Sequence, residues 1–256
     1  MNIIGIIPAR MGASRFPGKP MAPLHGMPMV GHCYHRTRLA LGIGQAYVAT
    51  CDEEIADYIK SIGGNAIMTS DQHKRATTRT AEALEVIESQ RGEKVDVVVM
   101  VQGDEPLIPP DTINETLQCF DDSGVEIANV MCRFRTQEAF EDRNNVKIVV
   151  DNKNNALYFS REPIPSPWKG WDHMPCYMQT GIIAFRRDTL LRFNTMDETP
   201  LEQIESIDMN RVLEIGGSIR MVPTDVVTIG VDTHEELEAA EELLVNDPVI
   251  KSYMGT

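Results

Sequence analysis

Short apolar runs alternate with amphipathic stretches through the first half of this chain. Residues 2–8 (NIIGIIP) form an apolar run that ends in a glycine- and proline-rich segment, which predicts a buried first strand rather than a signal peptide. Residues 28–41 place Val30, Cys33, Tyr34, Thr37 and Leu41 on one face at helical spacing and predict a helix. Residues 45–50 predict a second strand. Thr50 and Glu53 have capping-box spacing, which predicts a helix to about Ile62, closed by Gly63 and Gly64. A short strand at 65–68, a helix at 77–90 and a fully apolar strand at 95–101 follow. Pro110 with the pair Thr112 and Glu115 predicts the start of the next helix. Such β-α-β-α-β order predicts an α/β fold with a mostly parallel, Rossmann-like sheet and flanking helices.

The pattern changes after residue 126. Residues 127–134, 146–151, 156–160 and 177–185 all read as strands, interrupted by a stretch at 162–175 that holds several prolines and both tryptophans. Thr199, Pro200 and Glu202 combine an N-cap, a first-turn proline and an acidic third residue, and predict a helical region to about Ile215 that Gly216 and Gly217 stop. A strand is expected at 218–223. Thr233 and Glu236 are expected to cap an acidic last helix to about Leu244. With no repeat, low-complexity tract or long linker, the expectation is a single domain over 1–256, with a small mixed β lobe inserted at about 130–185.

Charge changes the picture more than composition does. The formal charge is −14, which disfavours nucleic acid and anionic membrane as partners. Residues 1–50 nevertheless contain no Asp or Glu, while they carry Arg10, Arg15, Lys19, Arg36 and Arg38. Arg36 and Arg38 suit a solvated helix face. Arg10, Arg15 and Lys19 share a glycine- and proline-rich loop at the first strand end, and a bound polyanion explains that grouping better. No apolar run is long enough to span a bilayer. The five cysteines are odd in number, widely spaced and without a C-x-x-C pair, which predicts reduced thiols in a cytoplasmic protein and no zinc site.

Two strand ends carry candidate chemistry, since open α/β sheets bind ligands at the carboxyl ends of their strands. The first is the loop 8–20, PARMGASRFPGKP. It is not a P-loop: five residues separate Gly12 from Gly18 where four are required, and Pro20 stands where Ser or Thr should be. It is not a G-x-G-x-x-G loop either, which disfavours a nicotinamide oxidoreductase. The second is Val101-Gln102-Gly103-Asp104-Glu105-Pro106, an apolar strand that ends in a carboxylate. Magnesium is commonly held by one or two carboxylates with phosphate oxygens and water, and Gly230-Val231-Asp232-Thr233 offers a second carboxylate. Taken singly, Asp104 also reads as a turn residue and Asp232 as a dipole-stabilised residue before a helix.

Together these segments resemble the CMP-3-deoxy-manno-octulosonate synthetase family. The loop 8–20 matches its P-A-R-x-x-S-x-R-x-P-G-K-P signature almost residue for residue, with the serine one place later at Ser14, and 101–106 matches its second signature. His73 with Thr77 and Arg79, the segments 145–149 and 156–161, Pro200-Leu201-Glu202 with Glu205, and 230–233 complete a likeness over nearly the whole chain. The resemblance implies a cytidylyltransferase that uses CTP and Mg2+ to activate an acidic octulosonate sugar for lipopolysaccharide biosynthesis, working as a homodimer. It implies nucleotide binding by Ala9, Arg10, Ser14, Lys19, Thr77, Arg79, Gln102 and Gly103, with Arg10, Lys19 and Asp104 catalytic. Asp104 and Asp232 would hold the metal, and Gln102, Arg161, Gln179, Glu202 and Glu205 would face the sugar. Two departures bear on substrate choice. Arg75-Ala76-Thr77-Thr78-Arg79 stands where the family has Ser-Gly-Thr-Asp/Glu-Arg, and Gln179 replaces the histidine of an H-x-G-I pattern. An 8-amino-3,8-dideoxy sugar is therefore an alternative to the 8-hydroxy form. A sialic-acid-like nonulosonate and a non-catalytic nucleotide-binding relative are further alternatives, the second disfavoured by the presence of both Asp104 and Asp232.

Overall fold

The protein is described by a computed structural model over residues 1–12, 16–173, 175–226 and 229–254. In chain order the strands and α-helices are β1 (Ile3–Pro8), β2 (Pro23–Leu24), β3 (Met27–Pro28), α1 (Met29–Leu39), β4 (Gln45–Thr50), α2 (Glu53–Ser61), β5 (Asn65–Met68), α3 (Ala76–Arg91), β6 (Val97–Val101) and α4 (Pro110–Gln118). They continue with β7 (Ile127–Arg133), α5 (Gln137–Glu141), β8 (Lys147–Val150), β9 (Ala156–Ser160), β10 (Tyr177–Arg186), α6 (Arg187–Asn194), α7 (Pro200–Glu205), α8 (Met209–Glu214), β11 (Arg220–Thr224), α9 (His234–Leu244) and α10 (Lys251–Met254). The chain divides into two compact units, Met1–Asn114 with Thr228–Thr256, and Glu115–Val227.

The first unit holds a parallel sheet in the order β6-β1-β4-β5. All five residues of β6 are buried, as an unbroken apolar strand in a parallel sheet requires. Helix α1 lies so close to β1 that a Cβ on Gly5 would come 2.4 Å from the Thr37 methyl, so only glycine fits there. Parallel pairing puts Pro8, Thr50 and Val101 at the same edge, where the loops of the candidate site begin. The apolar face of α9 covers the first loop through a cluster of Phe16, Leu24, Met29, Val231, Ala240 and Leu244. Burying that face offsets the cost of ordering an otherwise acidic helix.

The second unit is mixed. Strand β11 pairs parallel with β7, β7 antiparallel with β10, β10 antiparallel with β8, and β8 antiparallel with β9. Between Gln179 and Ile183 the β10–β7 register shifts. Asn129 sits at this irregularity and donates to the Thr180 and Ile182 carbonyls at 3.2 and 2.8 Å, groups that a regular ladder would have paired.

Several local expectations are corrected. Thr50 does not cap α2. Its backbone stays in the sheet, with its carbonyl accepting from Thr69 N at 2.8 Å, so Asp52 takes the N-cap position. Helix α1 stops at Leu39, and Leu41 is exposed. The helical region after Thr199 is two helices, because Ser206 turns left-handed (φ 55°) and Arg161 Nε takes the Glu205 carbonyl at 2.8 Å. Arg36 is not solvated but 1% exposed. It donates to Asp247 at 2.6 Å and to the Ile108 carbonyl and Tyr253 hydroxyl at 3.3 Å each. Helices α5, α6 and α10 were not expected from the pattern, though Thr136 caps α5 by accepting from Ala139 N at 3.1 Å. No helix among the described residues is long and apolar enough to cross a membrane.

Candidate active site

The strand ends of the first unit enclose a cavity of about 310 Å³. Pro8, Ala9 and Arg10 reach it from β1, and Gln102, Gly103 and Asp104 from β6. The two strand ends are in close contact: a Cβ on Gly103 would lie 2.9 Å from the Pro8 carbonyl. The rest of the first loop is folded back on itself. Gly18 adopts a left-handed conformation (φ 76°) and its amide donates to the Met11 carbonyl at 3.0 Å. That turn aims Lys19, first residue of a short 3-10 turn, into the cavity. Asp52 steadies the loop from outside, its carboxylate accepting from Met11 N at 2.8 Å.

Lys19 bridges the two candidate metal carboxylates. Its Nζ lies 2.8 Å from Asp104 Oδ2 and 2.9 Å from Asp232 Oδ1. Burial by itself would lower the Lys19 pKa, but the charges and hydrogen bonds of Asp104 and Asp232 outweigh it and hold the ammonium above its ordinary value. Backbone fixes the carboxylates too: Val231 N donates to the Asp104 carbonyl at 2.8 Å, and Asp232 N to Glu236 at 2.7 Å. The Thr233–Glu236 capping box thereby sets Asp232 as well as α9.

The third wall is the loop before α3 and its first turn. His73, Lys74, Arg75, Ala76 and Arg79 line the cavity there. Arg10 Nη1 donates to the His73 carbonyl at 3.3 Å. The His73 ring is held by Thr78 Oγ1 at 3.0 Å and by the Glu82 carboxylate. Burial would raise Glu82, but its bonds from His73 and the Ser70 amide prevail and lower it, keeping it an anion. Arg79 is buried, with one nitrogen donating to Thr69 Oγ1, while Nη2 has no acceptor among the described residues. A buried donor without a partner costs about 1–3 kcal/mol, a cost that a ligand oxygen or ring nitrogen would remove. Five cations (Arg10, Lys19, Lys74, Arg75, Arg79) and two carboxylates line a cavity in a chain of net charge −14. That concentration of positive charge suits a polyanion.

Of the residues named from sequence, Ala9, Arg10, Lys19, Arg79, Gln102, Gly103, Asp104 and Asp232 meet at this cavity. Thr77 is wholly buried on α3 beside it in sequence. Ser14 lies outside the described residues, as does Arg15. Asp52 and Glu82, which brace the walls, were missed. Asp52 is the first acidic residue of the chain and stands just after a strand, which is the signal it offered.

Arg161, Gln179, Glu202 and Glu205 belong to the second unit. The Glu205 carboxylate accepts from Arg161 N and Ser160 Oγ at 2.8 Å each and from Tyr158 OH at 3.0 Å. Burial would raise its pKa, but these donors lower it on balance. Arg161 is held by Nε to the Glu205 carbonyl and by Nη1 to the Arg143 carbonyl at 3.0 Å. Lys147, fully buried, donates to the Arg161 carbonyl at 2.9 Å. Glu202 is fully buried, its two oxygens accepting from Arg211 Nε and Nη2 at 2.6 and 2.7 Å. Gln179 Nε2 donates to Asn129 Oδ1 at 2.7 Å.

A magnesium ion fits the donor set of the first unit. Among the described residues no group of three or more His, Cys, Asp or Glu side chains is gathered for a metal. Asp104 and Asp232, however, already converge on one cation, the Lys19 ammonium, and two carboxylates with phosphate oxygens and water suit Mg2+.

The cytidylyltransferase family model matches residues 4–221. A 3-deoxy-manno-octulosonate cytidylyltransferase of Trichlorobacter lovleyi is 41% identical over 253 residues, covering 94% of this chain and 98% of that protein. One from Parabacteroides distasonis is 38% identical over 257 residues, covering 96% and 99%. Among solved structures, a CMP:2-keto-3-deoxy-manno-octonic acid synthetase in complex with CTP superposes with a TM-score of 0.85 at 35% identity, covering 96% of this chain and 99% of that one. A sugar-phosphate thymidylyltransferase from Bacillus anthracis shares the fold alone, with a TM-score of 0.68 at 16% identity. With its family model spanning most of the chain and relatives of this identity matching end to end, the chain belongs to the cytidylyltransferase family of nucleotidyltransferase enzymes.

Proposed function

We propose that this protein transfers CMP from CTP to the anomeric hydroxyl of 3-deoxy-manno-octulosonate, or its 8-amino-3,8-dideoxy analogue, and releases pyrophosphate for lipopolysaccharide biosynthesis. The observation that carries the reading is Lys19 set between Asp104 and Asp232 in a cationic cavity at parallel strand ends. Relatives that match along the whole length bear the corresponding name.

In this reaction the sugar oxygen attacks the α-phosphorus in line, the bond from that phosphorus to the β-phosphate oxygen breaks, and pyrophosphate carries the charge away. The chain's part is positioning and charge stabilisation. Arg10 and Lys19 bind the phosphates and offset charge on the leaving pyrophosphate, with Ser14 as a further phosphate ligand. Arg79 Nη2, buried and lacking an acceptor among the described residues, meets the cytidine, with Ala9, Thr77, Gln102 and Gly103 completing the nucleotide pocket. Asp104 and Asp232 hold the magnesium. When bound there, the ion would supply charge neutralisation at the phosphate oxygens.

Arg161 offers its guanidinium to the sugar's carboxylate, with Gln179 as a further sugar residue of the same unit. Glu205 and Glu202 serve the sugar side by holding Arg161 and α7 in place, since their carboxylates are engaged within the protein. The protein works in the cytoplasm as a homodimer. Leu157, Ile204 and Ile215 expose 59, 77 and 56% of their surface in the second unit, which supports pairing through that unit.

The test is pyrophosphate release from CTP, UTP, ATP and GTP with a panel of acidic sugars. Release with CTP and an octulosonate is expected. Turnover only with a nonulosonate or a hexose phosphate, or none with any sugar, would overturn the reading.

A further inference from the structure

The Lys19 ammonium occupies the place between Asp104 and Asp232 where a divalent cation would bind. Its nitrogen is within hydrogen-bond distance of both carboxylates, and its side chain is 11% exposed, against 26 and 35% for the two acids. The lysine reaches this position from a turn that Gly18 locks, and the backbones of Asp104 and Asp232 are tied by bonds from Val231 N and to Glu236. A divalent ion that took both carboxylates would evict the ammonium. An evicted ammonium needs another anion, and the other charged walls of the cavity are Arg10, Lys74, Arg75 and Arg79, all cations. Among the described lining residues no other anionic side chain can receive it. A polyphosphate entering the cavity can.

We propose that Lys19 is a built-in stand-in for the metal, which keeps the nucleotide-free protein from binding a divalent cation and yields the carboxylates when a triphosphate gives its ammonium a new partner. Metal and nucleotide binding are then coupled, and by linkage each strengthens the other to the same degree. The proposal rests on the reading of Asp104 and Asp232 as the metal ligands. The two carboxylates are poised but neutralised, so the free protein avoids the repulsion that two facing acids would otherwise impose.

The experiment is Mn2+ binding to the nucleotide-free full-length protein at one pH, by calorimetry and by the paramagnetic resonance signal of free Mn2+. Wild type is compared with Lys19→Met, Lys19→Arg, Asp104→Asn and the double variant Lys19→Met/Asp104→Asn. Circular dichroism checks each fold, and Lys19→Gln replaces Lys19→Met if the latter does not fold. Lys19→Met should bind Mn2+ roughly 5- to 150-fold more tightly than wild type, the ordinary range of coupling between sites. Lys19→Arg should stay near wild type, and the double variant should lose the gain. Mn2+ should also raise the Tm of Lys19→Met more than that of wild type. Equal Mn2+ affinity in wild type and Lys19→Met, abolished in both by Asp104→Asn, would overturn the proposal while leaving the metal site standing. Tight Mn2+ binding that persists in the double variant would overturn the metal assignment, and the proposal with it.

Discussion

The pair Glu202–Arg211 offers the sharpest separation of a ligand contact from a scaffold contact. Glu202 has no exposure and the Arg211 side chain 4%. The pair is bidentate, Arg211 Nη1 also donates to the Phe193 and Met196 carbonyls at 3.2 and 3.0 Å, and the guanidinium lies 4.2 Å from the Phe193 ring centroid. Removing one partner of a buried pair leaves an uncompensated charge and costs about 3–5 kcal/mol. In Arg211→Met the stranded group is the Glu202 carboxylate, and the two carbonyls lose a donor. For a chain of this size each kcal/mol lowers Tm by about 2–4 °C, so a loss near 4 kcal/mol predicts a drop of roughly 8–16 °C. Removing both partners is far milder, because no charge is left buried. Glu202→Leu/Arg211→Leu should therefore recover at least half of the lost Tm. Calorimetry supplies the stabilities, and pyrophosphate release well below each Tm supplies the kinetics. If Glu202 acts only through α7, the folded double variant keeps its KM for the sugar. A drop under ~2 °C in Arg211→Met would refute the energetic reasoning. Full stability in the double variant, with the sugar KM greatly raised, would refute the scaffold role.

Asp104→Asn and Asp232→Asn, which keep size and remove a metal-binding charge, should each cut pyrophosphate release on the order of 10²-fold or more with the fold intact. Near-normal rates at saturating Mg2+ would remove that carboxylate from the ligand set. His32 is held neutral, chiefly by burial and further by Arg36, with its pKa lowered from 6.5 to about 4. The unfolded chain then binds more protons between those values, so its contribution is full above pH 6.5 and fades as pH falls towards 4, by up to about 1.4 kcal/mol per unit. His32→Gln should flatten that part of a stability–pH curve from denaturant titrations; an unchanged slope would contradict the assignment. Gln179→His should alter the ratio of kcat/KM for the 8-hydroxy and 8-amino sugars by roughly tenfold to a hundredfold, the cost of a polar group that loses its partner when the ligand covers it. An unchanged ratio with both activities intact would place discrimination elsewhere.

Much of the architecture was legible because its causes are local. The strands at 45–50, 65–68 and 156–160 need only their apolar runs and the glycines or polar turns beside them. The capping box at Thr233–Glu236 forms because both partners lie within one turn, and at Thr199 the Glu202 carboxylate likewise accepts from the N-cap amide at 3.4 Å. Where a local signal failed, a nonlocal bond had outbid it. Thr50 has capping-box spacing, but its carbonyl is claimed by Thr69 in the neighbouring strand. The helical pattern through Ser206 was broken by Arg161, a residue 44 positions away from Glu205.

The candidate site divides along the same line. The sequence by itself determined which residues stand at strand ends: a basic loop free of acids after β1, Asp104 after β6, Asp232 before α9. It determined nothing about whom each charge would meet. Lys19 pairs with acids 85 and 213 residues further on, and of two arginines two positions apart on α1, Arg36 is buried against Asp247 while Arg38 stays exposed. Glu202 reads the same in sequence whether it faces a ligand or Arg211. A charged side chain spends its interaction on whatever partner the fold brings within about 4 Å, and burial decides how much that interaction weighs. Both depend on parallel strands aligning their ends and on α9 returning to cover the first loop, and no local window of the chain contains that information.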